Sequence, residues 1–352
     1  MTDVTVIGAG MAGASLAAEL AGRCSVLILE AERHPGYHAT GRSAAFWSES
    51  YGGPLVRPLT SASGAFLADN GFLRPRGAIH LSDGSGDGAL DELQTQFPAV
   101  GLRPLGRAAL EAAIPGLKPG WDKGIAEPSC ADIDVAGLHA FYLKRARAQG
   151  AALVTDARLV AAERRRRWRI ETTADAYQAD ILVDAAGAWA DQVALAAGER
   201  PLGIRPYRRT LVQLRVDPPA PADLPLVIDA AGRFYFKPEA GGRLWLSPHD
   251  ETPCEPGDCA PEEIDVATAI DRLERVVDWR VAAVERKWAG LRSFAPDRLP
   301  VYGFGAPGFF WFAGQGGFGI QTAPAAARLA AALLLGRTPE LDPHPYSPAR
   351  FA

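Results

Sequence analysis

The sequence predicts an α/β fold: a Rossmann-like nucleotide-binding unit opens the chain, and an α+β unit with a mixed, largely antiparallel sheet is added to it. Three observations predict this. A glycine fingerprint sits between a strand and a helix at the N-terminus, an acidic residue ends the next strand, and a later stretch changes to short Pro- and Gly-rich segments. Residues 6 to 13 read Val-Ile-Gly-Ala-Gly-Met-Ala-Gly, so Gly8, Gly10 and Gly13 complete G-x-G-x-x-G. The apolar run Val4 to Ile7 suits a buried parallel strand, and the Ala- and Leu-rich run Ala12 to Ala21 suits a helix. Gly8 allows the tight turn, Gly10 lets backbone approach a pyrophosphate, and Gly13 lets the helix pack close to the sheet. The helix N-terminus, with Met11 and Ala12 in its first turn, then turns its free N–H groups toward phosphate.

The second strand, Ser25 to Leu29, ends in Glu30, where a ribose hydroxyl is usually accepted. From Ala31 to Ala45 the chain runs through a loop of small residues, where a plain nicotinamide enzyme would pass quickly into another helix and strand. Such a loop suits an extended flavin cofactor, with a helix starting at Ser43. Residues 73 to 134 carry many Pro and Gly residues, as a cap region does. The spacing of Leu138, Phe141, Tyr142 and Arg145 predicts an amphipathic helix over 135–149. Ala152-Leu153-Val154 and Ile181-Leu182-Val183 read as strands that rejoin the first unit, and Arg164 to Arg167 reads as a solvated hairpin turn. Residues 201 to 295 supply the second sheet, with Leu211 to Val216 and Phe234 to Phe236 its clearest strands. Phe309 to Gly314 predicts a buried strand, and Gly316 to Gly319 leads into the last helix.

The 352 residues suffice for two domains, and 48% hydrophobic with 22% charged residues is ordinary globular composition. A net charge of −4 gives no electrostatic case for nucleic acid. Cys24, Cys130, Cys254 and Cys259 form no CxxC pair; Cys254 and Cys259 share one Pro-rich loop and are read as free thiols. No metal-ligand cluster emerges, and most of the six histidines read as surface or loop residues, His249-Asp250-Glu251 among them. The apolar N-terminus has no basic leader, and the Ala323 to Leu335 stretch is too short to span a bilayer, so no integral membrane segment is predicted and a cytoplasmic protein is.

Several separated segments carry a family likeness: Pro35 to Ala45, Asp184 to Trp189, Pro201 to Arg209, Trp288 to Phe294 and Gly314 to Thr322. In these the chain resembles the D-amino acid oxidase/dehydrogenase family of FAD enzymes, most of all the bacterial D-arginine dehydrogenase type. The resemblance implies a glutathione-reductase-type FAD domain built from residues 1–72, 135–200 and 296–352, and a substrate domain from 73–134 and 201–295. It implies noncovalent FAD, since no cysteine lies in the matching segments. Besides the fingerprint, Glu30 and Ala31, the implied cofactor contacts are His38, Thr40, Gly41, Arg42, Ser43, Ala44, Ala45, Arg158, Leu159, Ala186, Gly187 and Trp189. The last Gly-rich segment adds Gly316, Gly317, Phe318, Gly319, Ile320, Gln321 and Thr322.

An amino acid substrate needs a fixed cation for its carboxylate, and the planar fork of arginine matches it. By resemblance Arg209 and Arg292 bind that carboxylate, with Tyr51 and Tyr235 lining the site. Strand alternation puts Arg208 on the face opposite Arg209. Arg292 sits among Trp288, Leu291 and Phe294, where an unpaired charge is costly. The resemblance implies hydride transfer from Cα to flavin N5, then hydrolysis of the imino acid to a 2-oxo acid and ammonia; no side-chain base stands out. In the D-arginine dehydrogenases a glutamate meets the distal cation; Ala78 takes its place here, and Phe46, followed by Trp47, replaces a lid histidine. This favours apolar D-amino acids, with a quinone or other carrier as electron acceptor and possible peripheral contact with the inner membrane. The rival readings are an oxygen-using glycine or sarcosine oxidase, a non-catalytic flavoprotein subunit and, distantly, a nicotinamide dehydrogenase.

Overall fold

The computed structural model describes residues 2–352. The strand Thr2–Ile7 lies inside an eight-stranded sheet and pairs in parallel with Val26–Leu29 on one side and Ala176–Asp184 on the other. Its apolar residues are buried on both faces, which explains a continuous apolar run rather than an alternating one. Ala152–Val154 extends the sheet beyond Val26–Leu29, and Phe309–Ala313 joins Ala176–Asp184 in parallel. The basic run forms the turn between Leu159–Arg164 and Trp168–Thr172, where Arg165 N–H donates to the Arg167 carbonyl.

The helix Met11–Leu20 is buried at every residue but Ala12. It packs in one core with helices Val135–Ala148 and Ala323–Leu334, and its alanines let these backbones approach closely. Among the described residues no helix is long and apolar enough to cross a membrane.

No helix starts at Ser43. Residues 43–45 carry no regular secondary structure, Phe46–Trp47 forms a short strand against Ala131–Ile133, and the next helix is Arg57–Asp69. Two aromatic residues suit that edge pairing, and Pro58 in the first turn supplies the helix start that Ser43 lacks.

The second sheet has ten strands, dominated by the antiparallel pair Arg205–Asp217 and Arg280–Phe294. The order continues through Arg243–Ser247, Tyr235–Glu239, Leu226–Asp229, Ala78–Ser82, Lys123–Glu127 and Arg103–Gly106. One face buries Val212, Leu214, Phe236 and Leu246 beneath helix Glu263–Val276, whose Val266, Ala269, Leu273 and Val276 form its apolar stripe. Each large side chain there contributes about 1.5–3 kcal/mol on burial. The opposite face carries Ala78, Leu211, Leu226 and Tyr235 and turns toward the first sheet. This second face and the C-terminal ends of the parallel strands bound the main cavity.

Candidate active site

A cavity of about 420 Å³ runs from the glycine fingerprint to the second sheet. A smaller one of about 130 Å³ adjoins it through Gly8, His38, Ala186 and Trp189. The large cavity is lined by Gly10, Met11, Ala12, Glu30, Thr40, Arg42, Ser43, Ala44, Ala45 and Gly187, and at the far end by Gly316, Gly317, Gly319, Ile320 and Gln321. Ala31, Arg158 and Leu159 line the small one. The sequence-predicted cofactor residues Gly13, Gly41, Phe318 and Thr322 lie outside both linings.

Those four act from behind. A Cβ at Gly13 would overlap the Gly8 carbonyl oxygen, so the glycine sets how closely helix and turn pack. Gly8 itself has φ +100, and a Cβ there would come within 2.6 Å of the Ala185 carbonyl oxygen. Gly41 N–H donates to Gly36 O over 2.7 Å, which folds the small-residue loop on itself. Phe318 packs against Tyr51 at 5.1 Å between ring centres, and Thr322 Oγ1 donates to the Phe318 carbonyl.

Glu30 is buried at the strand end; Oε2 accepts from Ala9 N–H over 2.7 Å and Oε1 from Glu32 N–H over 2.9 Å. Met11 N–H donates to Thr40 Oγ1 over 2.9 Å, joining the helix N-terminus to the small-residue loop. His38 reaches Glu32 at 3.1 Å and packs against Trp189, with ring centres 4.6 Å apart.

The other end holds the four predicted polar residues together. Tyr51, Arg209, Tyr235 and Arg292 all line the cavity. Arg292 Nη2 donates to the Tyr51 hydroxyl. Glu251 Oε1 accepts from Arg209 at 3.3 Å, from Arg292 at 3.2 Å and from Arg298 at 2.9 Å. Arg209 also donates from Nε to the Asp250 carbonyl over 2.9 Å. Burial, and then the neighbouring Arg292 charge, lower the Arg209 pKa from its ordinary value. Burial raises the Tyr235 pKa despite the adjacent arginines. Arg208 points the other way, to Glu262, to Asp265 at 2.8 Å and to Asp250 at 3.7 Å. Adjacent residues of one strand thus serve opposite faces.

The predicted side-chain residues separate. Phe46 lines the cavity, 5.3 Å from the Tyr51 ring centre. Trp47 turns away: its Nε1–H donates to the Thr60 carbonyl over 3.0 Å and its ring packs on Gly64. Ala78 is buried in the sheet, opposite Glu127 and Leu226, and is not among the cavity-lining residues.

The histidines are less peripheral than their scatter in the sequence suggests. His80, two residues beyond Ala78 on the same strand face, lines the cavity. Its Nε2 lies 3.5 Å from Glu127 Oε2, without an aligned hydrogen bond. Glu127 is fully buried and accepts from Ser48 at 2.9 Å, Ser50 at 2.5 Å and Glu49 N–H at 2.9 Å. Burial works to raise its pKa, but the nearby imidazole and the serine hydroxyl donors outweigh that and hold it below the ordinary value. His249 also lines the cavity, in a left-handed conformation at φ 58. Its Nδ1 is 2.5 Å from the Gly232 carbonyl oxygen, so Nδ1 carries the proton and Nε2 is the ring's acceptor. Burial, then the Arg209 charge, depress its pKa to about 3. His139 is 2.8 Å from the Ala9 carbonyl and braces the fingerprint from behind. Strand alternation from Ala78 is a signal for His80; nothing local marks His249, Glu251 or Glu127.

A family model described as DAO, FAD dependent oxidoreductase, matches residues 3–333. The chain belongs to that family. It is 29% identical to a glycine oxidase of Pseudomonas aeruginosa, with 98% of each chain covered. In fold it matches the glycine oxidase of Geobacillus kaustophilus, with a TM-score of 0.85 at 24% identity and 98% of each chain covered. It also matches the L-proline dehydrogenase of P. horikoshii, with a TM-score of 0.87 at 21% identity and 99% of this chain and 97% of that one covered. These likenesses establish the DAO-type FAD-binding α/β fold and an FAD-dependent oxidoreductase.

The residues present fit FAD. A Cβ would obstruct the fingerprint at Gly8 and Gly13, and Glu30 stands at the second strand's end. The cavity's lining runs from that turn past Gly316 and Gly317 to the arginine cluster, so one continuous space joins the fingerprint to the candidate substrate end.

Proposed function

We propose that this protein oxidises a small α-amino acid, primary or secondary at nitrogen, in the manner of a glycine oxidase, with oxygen as electron acceptor. The single observation that carries an amino acid substrate is the convergence of Arg209, Arg292, Tyr51 and Tyr235 on one cavity. FAD, when bound, supplies the two-electron acceptor for a hydride from Cα. Gly8, Gly10, Thr40, Arg42 and the segment Gly316 to Gln321 would hold it.

The remaining work belongs to the chain. Arg209 and Arg292 bind the carboxylate by charge-assisted hydrogen bonds, and Tyr51 keeps Arg292 in place through its hydroxyl. Fixing that end limits how Cα is presented. His249 offers a neutral acceptor nitrogen, and we assign Nε2 to an N–H of the substrate amine. Its low pKa makes it an orienting acceptor, so the substrate nitrogen gives its proton to solvent before reaction.

A second reading, a D-amino acid with an apolar or broad side chain, is favoured by the continuation of the cavity past Tyr235 to Phe46 and Ile228. A quinone or other carrier, and peripheral membrane contact, go with that reading. Anaerobic mixing with glycine, sarcosine and a panel of D- and L-amino acids tests both, followed by a peroxide assay in air. Glycine or sarcosine should bleach the flavin fastest and yield one peroxide per turnover. Bleaching by D-leucine or D-phenylalanine alone, without peroxide, would replace the first reading with the second.

A further inference from the structure

We propose that Cys254 and Cys259 are a redox-modification site, closing to a disulfide under a peroxide and locking a clasp over the cofactor loop. The two Sγ atoms lie 3.8 Å apart across a six-residue segment, and both side chains are partly exposed. Cys130, by contrast, is fully buried, and Cys24 shares no contact with another thiol. The pair therefore combines access with a resolving partner.

The segment's position gives the pair a consequence. Cys254 N–H donates to the Pro206 carbonyl over 3.1 Å, tying one end to the strand that carries Arg208 and Arg209. At the other end the Cys259 carbonyl accepts from Arg42 over 3.2 Å. Asp258 between them accepts from Arg42 at 2.5 Å and from the Tyr37 hydroxyl at 3.1 Å. Arg42 and Tyr37 both line the large cavity, in the small-residue loop that follows Glu30. The thiol-bearing segment thus holds that loop from outside, through contacts made by exposed side chains.

The chemistry balances with a two-electron peroxide. Cys254 thiolate attacks one peroxide oxygen, the O–O bond breaks, and sulfenic acid and hydroxide form. Cys259 sulfur then attacks the sulfenic sulfur and expels its oxygen as a second hydroxide. Protons from the two thiols leave two waters overall, with both sulfurs oxidised and the peroxide reduced. Burial and the Cys254 contact push the Cys259 thiol up to about 11, so Cys259 enters the second, resolving step as a thiol that gives up its proton as it attacks. The Arg208 and Arg42 charges lie within reach to favour its thiolate.

The test uses the FAD-loaded full chain and added hydrogen peroxide, so it does not depend on substrate or acceptor. Thiols are counted in denaturant before and after, and peptides are mapped. The expected result is a fall from four thiols to two, a peptide cross-linked through Cys254 and Cys259, and recovery of all four with dithiothreitol. Cys259→Ser should stop at a sulfenic acid on Cys254, trapped by dimedone. A ring of about six residues removes enough freedom from the opened clasp to slow FAD release roughly tenfold. Peroxide-treated Cys259→Ser should release FAD at the untreated rate. Persistence of four thiols, preferential oxidation of Cys24, cross-links between molecules, or unchanged FAD release from the cross-linked protein would each overturn the proposal.

Discussion

The carboxylate clamp makes a prediction that separates two neighbouring arginines. Arg209 and Arg292 face the cavity, with side-chain exposures of 7% and 13%, whereas Arg208, at 6%, serves three carboxylates on the other face. Truncating Arg292 leaves Glu251 paired with Arg209 and Arg298, so that carboxylate stays compensated. The loss then falls on an incoming carboxylate. Removing one partner of such a pair costs about 2–5 kcal/mol, or roughly 30-fold to several thousand-fold in kcat/KM. Arg292→Ala and Arg209→Ala should both show this with FAD content largely retained. Arg208→Ala should instead strip Glu262, Asp265 and Asp250 of a buried cation, a destabilisation of about 3–5 kcal/mol, with kcat/KM within about threefold of the parent among molecules still folded. Stopped-flow flavin reduction gives the rates, and thermal melts give the stabilities. A matched amine lacking the carboxylate completes the test: its disadvantage against the amino acid should shrink in the clamp variants and persist in Arg208→Ala. Equal, small kinetic effects at all three positions would refute the clamp.

Three further perturbations follow. Gly13→Ala should abolish or severely weaken FAD binding, because the new Cβ overlaps the Gly8 carbonyl; a yellow, fully loaded variant would contradict the tight helix–turn contact. Ala78→Glu places a second carboxylate directly across from buried Glu127, so the expected outcome is a melting temperature lowered by several degrees or more, without a gain for D-arginine; improved D-arginine turnover would put this position beside the substrate after all. His249→Asn keeps a donor for the Gly232 carbonyl and suits the left-handed backbone. The unfolded imidazole takes a proton near 6.5 and the folded one near 3, so the unfolded state binds more protons in between and stability falls as pH drops through that window. The variant should lose less, by on the order of 2 kcal/mol between pH 7 and pH 4, in urea unfolding at the two pH values; identical pH dependence would show that the imidazole is not held neutral.

How much of this was legible depends on the range over which each feature is encoded. The fingerprint and Glu30 are readable because a strand, a turn and a helix N-terminus are specified by residues close in sequence. The separation of Arg208 from Arg209 is equally local, following from the strand period alone. Ser43 misleads because a serine before small residues looks like a helix cap, while tertiary pairing of Phe46–Trp47 with Ala131–Ile133 keeps a helix from forming there. Trp47 and Ala78 were placed beside the substrate by likeness, and pairing with distant elements turned one onto Gly64 and sealed the other in the sheet. His80, Glu127 and the two serines meet only because the strands Ala78–Ser82 and Lys123–Glu127 lie side by side, a register no local pattern states.

The arginine cluster explains why the site suits an anion better than a neutral amine. Arg209, Arg292 and Arg298 share the single carboxylate of Glu251. Asp250 adds a second, shared carboxylate: it lies 3.9 Å from Arg209 and 3.7 Å from Arg208, accepts from Thr210 N–H at 2.7 Å and Thr210 Oγ1 at 2.9 Å, and burial raises its pKa. Positive charge still exceeds the negative charge that meets it, and burial, then the Arg292 charge, lower the Arg209 pKa. A substrate carboxylate relieves that repulsion on entering, whereas a neutral amine leaves it in place and a protonated one adds to it. In the proposed function, selection for an amino acid is thus built from what the protein leaves uncompensated as much as from the bonds it offers.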